Sequence, residues 1–523
     1  MLVRLLLLVT LATPGYSQTA PPLGAASGFG NAAQPRLLRL AETVPALRDT
    51  LVWRLAQPTP GQSQWHDPRV AYPKALNRQL SLTLIPMHPG LTNGATVQSD
   101  TGIEAFATFA RAVADAYPNL VALEIGNEFN GQTFVKGPAR HLPPKARAAL
   151  HARHLAAVAD VVRPAHPHLN LVGGAAHSVS AGYLWHLADQ GGVEQIDQIA
   201  LHPYTTKPEQ FLRQIAVLRR HPALVDMPLD ISEFGHKNST AAPGFMLRYY
   251  CQMSLANVAR ASWYPLATRG DGYAALITRN GRVLPARQAF ELIQSQFVGK
   301  ATTPLSPDPF TYGCAFDGGR VVMLWGAARA ITHIDASITV LYGSSTRLDP
   351  LVPLVLGASA PITLGQNLRL DPQTVLADSF DQFRYDPPDA GFKLSLETMD
   401  GAIRPVMLPG QDRPGVPWTP YLGHLKSGSW ITANGARLGR PLHHIYRAPT
   451  AQKVEISAVT DAQNPANMHL LHNDTMLDHW PLSAQQSHKR VVTLARDDQL
   501  TLVLTPQVPQ AHVRFRYTLR RVP

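Results

Sequence analysis

The stretch Leu123-Glu124-Ile125-Gly126-Asn127-Glu128-Phe129-Asn130 joins an apolar run to a turn that carries an acidic side chain. Residues Leu120 to Ile125 have the length and the apolar character of a buried strand, and the Gly-Asn pair that follows is typical of a turn. The sequence therefore predicts that Glu128 stands at the carboxyl end of a strand, on the rim of a sheet. Glu124, on the strand itself, is interpreted as a hydrogen-bonding residue of the core.

A second acidic residue, Glu233, has a matching setting later in the chain. The apolar run Met227 to Ile231 leads into Ser232-Glu233-Phe234-Gly235, so each of the two glutamates follows a strand and precedes a phenylalanine. A single glutamate of this kind is most often a solvated loop residue. The matched pair is more specific, and it makes Glu128 and Glu233 the candidate catalytic residues if one fold brings them together.

From about residue 25 to residue 297, short apolar runs alternate with amphipathic helical segments, which is the pattern of βα units. The eight predicted strands are Gly28 to Gly30, Ala46 to Trp53, Leu80 to Met87, Leu120 to Ile125, Leu169 to Ala175, Asp197 to His202, Met227 to Ser232 and Arg260 to Pro265. The predicted helices include Gly102 to Ala116, Lys145 to Val162, Pro208 to Arg220, Gly244 to Asn257 and Pro285 to Phe297. Eight such units in about 270 residues predict a (β/α)₈ TIM barrel, whose active site lies at the carboxyl ends of the strands.

The chain divides into four predicted segments. Residues 1–17 resemble a signal peptide, with Arg4 before the apolar run Leu5 to Ala12 and small residues before the cut, so the protein is expected to be secreted or periplasmic. The barrel covers residues 18–298. Short extended runs separated by glycine and proline predict a small β-sandwich over residues 299–372 and a C-terminal β-rich module over residues 373–523. No later stretch is apolar enough to predict a membrane span.

The composition is basic, with 47 lysines and arginines against 36 aspartates and glutamates. The basic residues are scattered and form no block interleaved with aromatic residues, so the sequence disfavours a nucleic-acid partner. A solvated basic surface is the simpler interpretation, and an acidic polysaccharide remains an alternative. The two cysteines, Cys251 and Cys314, allow one disulfide, but Cys251 lies in an apolar helical segment that would equally hold a buried free thiol.

Two carboxyl groups at the rim of a barrel suit the cleavage of a glycosidic bond, because one can protonate the leaving oxygen while the other attacks the sugar or activates water. Asn127-Glu128 after a fourth strand and Ser232-Glu233-Phe234-Gly235 after a seventh resemble the motifs of clan A retaining glycoside hydrolases. The stretch from Leu123 to Asn130 is most similar to the family 39 type. The resemblance implies that Glu128 is the general acid/base, that Glu233 is the nucleophile, and that a polysaccharide or oligosaccharide is cleaved without a cofactor.

The resemblance also implies several substrate-binding residues. Asn127 would contact the sugar 2-hydroxyl, Arg48 would keep the nucleophile ionised, Tyr204 would hydrogen-bond it, and Trp263 would stack on the sugar. Two further residues near strand ends, His202 and His88, are expected to hydrogen-bond sugar hydroxyls. The sequence departs from the family pattern at Phe129, where proline is usual, and at Gly126, where an aromatic residue is frequent.

Two other functions compete with this hypothesis. A metal-dependent barrel hydrolase is suggested by His88, His177, His202 and His236 near strand ends, but the His-x-His pair usual on the first strand of such enzymes is missing, so no metal site is predicted. A non-catalytic glycan-binding protein would use exposed aromatic residues, and Trp418, Tyr421 and Trp430 are candidates in the C-terminal module. For the enzyme, an endo-acting hydrolase of exopolysaccharides is the working hypothesis, because of the expected export, the basic charge and the missing side chain at Gly126.

Overall fold

The protein is described by a computed structural model that covers residues 18–27, 39, 41–386 and 390–522. At its centre eight parallel strands close into a barrel, each pairing with its neighbours in chain order and the first pairing with the eighth. The barrel strands are Leu23–Ala26, Ala46–Leu51, Gln79–Leu84, Leu120–Ile125, Asn170–His177, Gln198–His202, Leu229–Phe234 and Val258–Trp263. The predicted TIM barrel is confirmed.

Two predicted strand positions need correction. The first strand lies at Leu23–Ala26, earlier than predicted, and the proposed strand Gly28 to Gly30 falls outside the described residues, as does the predicted signal peptide. The seventh strand continues to Phe234, so Glu233 lies on the strand itself and not in the turn after it. The fourth strand, Leu120–Ile125, has the predicted bounds.

Helices surround the barrel and cover its apolar strands. The α-helices are Trp53–Ala56, Pro68–Ala75, Pro89–Thr92, Asp100–Ala116, Pro144–Val162, Ala181–Asp189, Pro208–Leu218, Ala242–Leu255 and Pro285–Gln296. The helix Asp100–Ala116 shows how the sequence determines where a helix begins and which face it buries. The Ser99 side chain caps its first turn by accepting a hydrogen bond from Gly102 N, and Phe106 and Val113 face the core. The helices that were not named from the sequence are Trp53–Ala56, Pro68–Ala75, Pro89–Thr92 and Ala181–Asp189.

Two antiparallel sheets follow the barrel. The six-stranded sheet takes the N-terminal strand Gln18–Thr19 and the strands Ala301–Pro304, Thr311–Phe316, Val321–Gly326, Leu354–Gly357 and Thr339–Tyr342. The three-stranded sheet contains Arg347–Leu348, Arg329–Ile334 and Leu368–Leu370. Leu324 of the larger sheet and Leu348 and Leu368 of the smaller one belong to the same buried cluster, so the two sheets enclose a common apolar core.

The C-terminal module is built from two larger antiparallel sheets. The eight-stranded sheet contains Val375–Asp378, Val406–Leu408, Tyr421–His424, Ser429–Thr432, Gly435–Leu438, Gln452–Ala462, Gln485–Leu494 and Ala511–Arg521. The six-stranded sheet contains Lys393–Thr398, Gly401–Ile403, Leu442–Arg447, Ala466–His472, Thr475–Leu482 and Gln499–Pro506. The predicted β-rich character of this region is therefore confirmed.

A disulfide joins the barrel layer to the flanking sheet. Cys251 on the helix Ala242–Leu255 pairs with Cys314 on the strand Thr311–Phe316. Of the two alternatives left open by the sequence, the structure has the disulfide. Within the described part of the chain, none of the helices combines the length and the hydropathy that crossing a membrane requires.

Candidate active site

The barrel brings Glu128 and Glu233 together. A carboxylate oxygen of Glu128, a carboxylate oxygen of Glu233 and a ring nitrogen of His202 all lie within 4.8 Å of one another. The two glutamate side chains are 15% and 11% exposed, so both carboxyl groups are largely shielded but reachable from the cleft. The three side chains leave the ends of the fourth, seventh and sixth barrel strands, where the βα loops converge.

Glu233 is held by a cation and a phenol. Arg48 Nη1 donates to Glu233 Oε1, and the Tyr204 hydroxyl donates to Oε2 at 2.9 Å. Arg48 also hydrogen-bonds to the Glu124 carboxylate, to which its Nε and Nη2 donate at 3.1 and 2.8 Å. Burial lowers the pKa of the Arg48 guanidinium, but the negative charges of Glu124 and Glu233 outweigh burial and raise it. Arg48 is therefore a permanent cation beside Glu233, and Glu124 is the core hydrogen-bonding residue that the sequence predicted.

Glu128 is held instead by two imidazoles. His177 Nδ1 and His202 Nδ1 both hydrogen-bond to Glu128 Oε1, at 3.1 and 3.2 Å. Burial would raise the pKa of the Glu128 carboxyl, but the hydrogen bonds from the two histidines prevail and lower it. Burial lowers the pKa of His202, whereas the charge of Glu233 and the bond to Glu128 raise it, and the net shift is upward. These shifts favour a carboxylate at Glu128 and a protonated imidazole at His202, so the proton that the two groups can share is drawn towards His202.

The turn that carries Glu128 depends on a left-handed backbone. Gly126 has φ +83° and Glu128 has φ +42°, and a Cβ atom on Gly126 would lie 3.1 Å from the Phe129 ring. Phe129 is buried and stacks on His151 with a centroid distance of 4.5 Å, and His151 Nε2 hydrogen-bonds to the Ile125 carbonyl at 2.8 Å. Phe129, the residue at which the sequence departs from the family pattern, is thus a packing residue that supports the turn from below.

The two asparagines of the opening stretch fix the neighbouring groups. Asn127 Oδ1 accepts from Arg48 Nη2 at 3.0 Å, which ties the turn to the cation beside Glu233. Asn130 Oδ1 accepts from His177 N at 2.9 Å and its Nδ2 donates to His177 O at 3.0 Å. Asn130 therefore positions His177, a role that sequence reasoning missed even though the residue lies in the decisive stretch.

Trp263 does not line the cleft, and this prediction is wrong. Its side chain is 0% exposed, its Nε1 donates to Ala274 O at 2.9 Å, and its ring packs edge-on against Phe234. The next residue, Tyr264, points to the other side, because successive residues of an extended strand face opposite ways. Tyr264 is half-buried, and with Tyr273 it packs around Tyr204 at centroid distances of 6.4 and 5.0 Å.

His88 is also absent from the cleft. Its side chain is 0% exposed, Nε2 hydrogen-bonds to the Gln57 carbonyl at 2.7 Å, and Nδ1 accepts from Gly90 N at 3.0 Å. Both ring nitrogens are occupied by backbone groups, so His88 builds a turn and cannot bind substrate. His236 similarly closes a turn with Asn238. Of the four strand-end histidines, His177 and His202 reach Glu128.

The cluster of Glu128, His202 and Glu233 has the residue types of a metal site. Both oxygens of Glu233 already accept hydrogen bonds, one from Arg48 and one from Tyr204. The Arg48 guanidinium also places a full positive charge next to Glu233, and this charge would repel a divalent cation bound to the same carboxylate. The donor set therefore does not fit a metal ion.

A loop of the C-terminal module reaches this site. The Trp418 and His177 rings are nearly perpendicular, with a centroid distance of 5.2 Å and an interplanar angle of 85°. The sequence had marked Trp418 as a stacking candidate without placing it near the barrel. Its position depends on contacts between residues far apart in the chain, for which a single sequence carries no local signal.

No protein-family model matches the chain, and no curated protein matches its sequence. Among solved structures, a family 39 glycoside hydrolase from the gut symbiont Bacteroides cellulosilyticus WH2 has a TM-score of 0.52 at 14% identity, covering 65% of this chain and 81% of that one. The catalytic domain of the family 30 xylanase C from Talaromyces cellulolyticus gives 0.47 at 13% identity, covering 66% and 98%. A family 39 β-xylosidase from Caulobacter crescentus gives 0.42 at 15% identity, covering 59% and 78%. The first likeness shows a shared fold, which confirms the resemblance to the family 39 type at the level of the fold.

Proposed function

We propose that the protein is an exported retaining glycoside hydrolase that cleaves β-glycosidic bonds by double displacement. The observation that carries the proposal is the pair of opposed carboxyl groups, with oxygens of Glu128 and Glu233 within 4.8 Å of each other. Retaining enzymes hold their two carboxyl groups at about 5–5.5 Å, whereas inverting enzymes need about 6.5–9.5 Å to admit a water molecule. The short separation supports a direct attack by one carboxylate.

In the first step Glu233 attacks the anomeric carbon. A bond forms between a Glu233 carboxylate oxygen and that carbon, the glycosidic C–O bond breaks, and the leaving oxygen takes a proton from Glu128. Glu128 Oε1 receives this proton from His202 Nδ1, at 3.2 Å, as it passes it to the leaving oxygen, so Glu128 ends the step as a carboxylate and His202 as a neutral imidazole. Loss of the Glu233 charge in this step removes the main charge that raises the pKa of His202, which favours the transfer.

In the second step water replaces the sugar on Glu233. Glu128, now a carboxylate, accepts a proton from the water as its oxygen attacks the anomeric carbon, and the ester bond to Glu233 breaks. The product keeps the configuration of the substrate, because the anomeric carbon is inverted twice. Arg48 and Tyr204 then receive the restored negative charge of Glu233 through the hydrogen bonds that they already make.

The substrate that we propose is a β-linked exopolysaccharide attacked within the chain. The formal charge of +11 supports attraction of an acidic polymer. The Cys251–Cys314 disulfide supports folding in an oxidising compartment, as expected after export. A panel of xylan, β-glucan, mannan and bacterial exopolysaccharides, read by the length of the products, tests this class. Release of monosaccharide alone would contradict internal cleavage.

The catalytic assignment is tested with Glu233→Gln and Glu128→Ala, using Glu104→Gln as a matched control, because Glu104 is exposed on the helix Asp100–Ala116. Each active-site variant is expected to lose more than about a thousandfold in turnover while its melting curve stays cooperative. Azide should restore part of the turnover of Glu128→Ala as a glycosyl azide of retained configuration, because a small anion takes the place of the activated water.

Proton NMR of the first product formed identifies the mechanism. Retention of the β-anomer supports the double displacement, whereas inversion excludes Glu233 as a nucleophile. Full turnover in either active-site variant would overturn the assignment. Tight binding of a polysaccharide without new reducing ends in the unmodified protein would favour a non-catalytic glycan-binding protein.

A further inference from the structure

The loop of residues 409–420 in the C-terminal module lies on the rim of the barrel. It connects the strands Val406–Leu408 and Tyr421–His424. Its Gln411 exchanges two hydrogen bonds with Asn130, since Asn130 Nδ2 donates to Gln411 Oε1 at 2.7 Å and Gln411 Nε2 donates to Asn130 O at 2.9 Å. The loop is thus attached to the same turn that carries Glu128.

A second attachment holds the other side of the loop. Gly182 N, at the start of the helix Ala181–Asp189, donates to Gly410 O at 2.9 Å, and His186 Nε2 hydrogen-bonds to Asp412 O at 2.9 Å. A Cβ atom on Gly182 would lie only 2.4 Å from Gly410 O, so the approach is as close as a residue without a side chain permits. The loop closes on itself through Gln411 N, which donates to Pro417 O at 2.8 Å. It is therefore fixed on the barrel at several points.

Trp418 projects from this fixed loop. Its side chain is 38% exposed, whereas Trp53, Trp263 and Trp325 are fully buried. The indole ring lies nearly perpendicular to the His177 ring at a centroid distance of 5.2 Å, and His177 hydrogen-bonds to Glu128 at 3.1 Å. An exposed indole held rigidly beside a polar cleft offers a flat apolar face at little cost in conformational entropy. The apolar C–H face of a pyranose ring is the complement of such a surface.

We infer that Trp418 is a platform for the sugar unit on the leaving-group side of the scissile bond, so that the C-terminal module completes the substrate cleft. The inference rests on the proposed function, because Glu128 protonates the leaving oxygen and the leaving sugar must therefore lie on its side. Tyr204, whose hydroxyl donates to Glu233, packs against Tyr264 and Tyr273, and its ring lies 6.3 Å from that of His177. Trp418 thus reaches the site through His177, a partner of Glu128, whereas Tyr264 and Tyr273 reach Glu233 through Tyr204.

The test compares Trp418→Ala, Trp418→Phe and the control Trp480→Ala with the unmodified protein. Trp480 is a half-buried tryptophan on the other sheet of the same module, stacked on His488 at 4.8 Å. Hexasaccharides of every polysaccharide in the panel above, neutral and acidic, are screened first, and the one that the unmodified protein cleaves is used together with the β-glycosyl fluoride of the same sugar. The fluoride places no sugar on the leaving-group side and requires little protonation.

We expect Trp418→Ala to lower kcat/KM for the hexasaccharide by about tenfold or more, as truncation of a well-placed aromatic contact does. The fluoride should be hydrolysed at the unmodified rate, Trp418→Phe should retain most of the activity, and Trp480→Ala should match the unmodified protein. The product lengths of Trp418→Ala should also shift, because the hexasaccharide loses one of the contacts that set its position.

Two results would overturn the platform while leaving the glycosidase standing. One is unchanged kcat/KM and product lengths for Trp418→Ala. The other is an equal loss on hexasaccharide and fluoride, which would mean that the variant disturbs His177 and Glu128 instead. If the protein cleaves none of the hexasaccharides but binds one in a Trp418-dependent manner by titration calorimetry, the proposed function fails and the platform stands. If the protein neither cleaves nor binds any of the hexasaccharides, the proposed function and the platform are both overturned.

Discussion

The ends of the fourth and seventh barrel strands look alike in the sequence and differ in the structure. Each presents a glutamate after a polar residue and before a phenylalanine. Glu233 lies within a regular strand and contacts Arg48 and Tyr204, whereas Glu128 lies in a turn at φ +42° and contacts two imidazoles. The same residue type is therefore given two electrostatic settings.

The two glutamates differ in whether the residues that hydrogen-bond to them can exchange protons. Burial raises the pKa of Tyr204 well above its ordinary value, and Arg48 stays protonated, so the partners of Glu233 keep their protons across the physiological range. Among the partners of Glu128, His202 has an imidazole that can bind and release a proton, and the charge of Glu233 and the bond to Glu128 raise its pKa against the effect of burial. One carboxylate thus has fixed surroundings suited to a nucleophile, and the other can exchange a proton, as an acid/base must.

The largest effect is expected from removing the fixed cation. Arg48→Met should lower turnover by about a thousandfold, because Glu233 loses a preorganised charge partner. It should also destabilise the fold by about 3–5 kcal/mol, because Glu124 is left as an unpaired buried charge. Polysaccharide hydrolysis and urea unfolding measure the two effects separately.

A double variant separates stability from catalysis at this site. Arg48→Met combined with Glu124→Gln removes the unpaired charge, so most of the lost stability should return while turnover stays low. Both Arg48 and Glu124 are buried and in direct contact, so their effects are expected to be strongly non-additive. Recovery of turnover along with stability would mean that Arg48 acts only on the fold, and the electrostatic contrast between the two strand ends would lose its basis.

A smaller effect is expected from changing a titrating partner. His202→Gln keeps a hydrogen-bonding side chain next to Glu128 but cannot carry the shared proton, so kcat/KM at pH 7 should fall by about a hundredfold. The basic limb of the pH profile should move to lower pH, because the proton must then reside on Glu128 alone. A profile measured from pH 4 to 9 checks this, and an unchanged basic limb would contradict the role of His202.

His202 should also make the stability of the fold depend on pH. Burial lowers the pKa of His202, but the charges of Glu233 and Glu128 outweigh burial and raise it. A group with a raised pKa in the folded state stabilises the fold at low pH, and this contribution is lost as the pH rises through the raised pKa. Glu128, whose pKa is lowered by the two histidines against the effect of burial, loses its contribution as the pH falls. The melting temperature of the unmodified protein should therefore fall as the pH rises through the pKa of His202, and His202→Gln should not show this fall.

Much of this site could be predicted because its residues follow strands that the sequence shows clearly. The fourth strand, the two glutamates, Arg48 and Tyr204 were placed by apolar runs and by the family resemblance. Trp263 was misplaced because a shift of one residue along a strand reverses the direction of the side chain.

The remaining contacts lie beyond what a local pattern can show. His177 meets Glu128 because Asn130 fixes the end of the fifth strand, and Asn130 meets Gln411 across a separation of 281 residues. The position of Trp418 depends on the same long-range contact. Such pairs are set by how whole elements pack, so the structure was needed to find them.

The smallest effect is expected from removing metal ions, and it tests whether the contrast exists at all. A divalent cation bound between Glu128 and Glu233 would make them equivalent ligands, but the Arg48 guanidinium already occupies the anionic face of Glu233. A second positive charge at about 4 Å would cost about 4 kcal/mol per unit charge at an effective dielectric constant of about 20. Dialysis against EDTA should therefore leave the release of reducing ends unchanged. Loss of activity that Zn²⁺ or Mn²⁺ restores would show that the cation governs both carboxylates, and the division into nucleophile and acid/base would have to be abandoned.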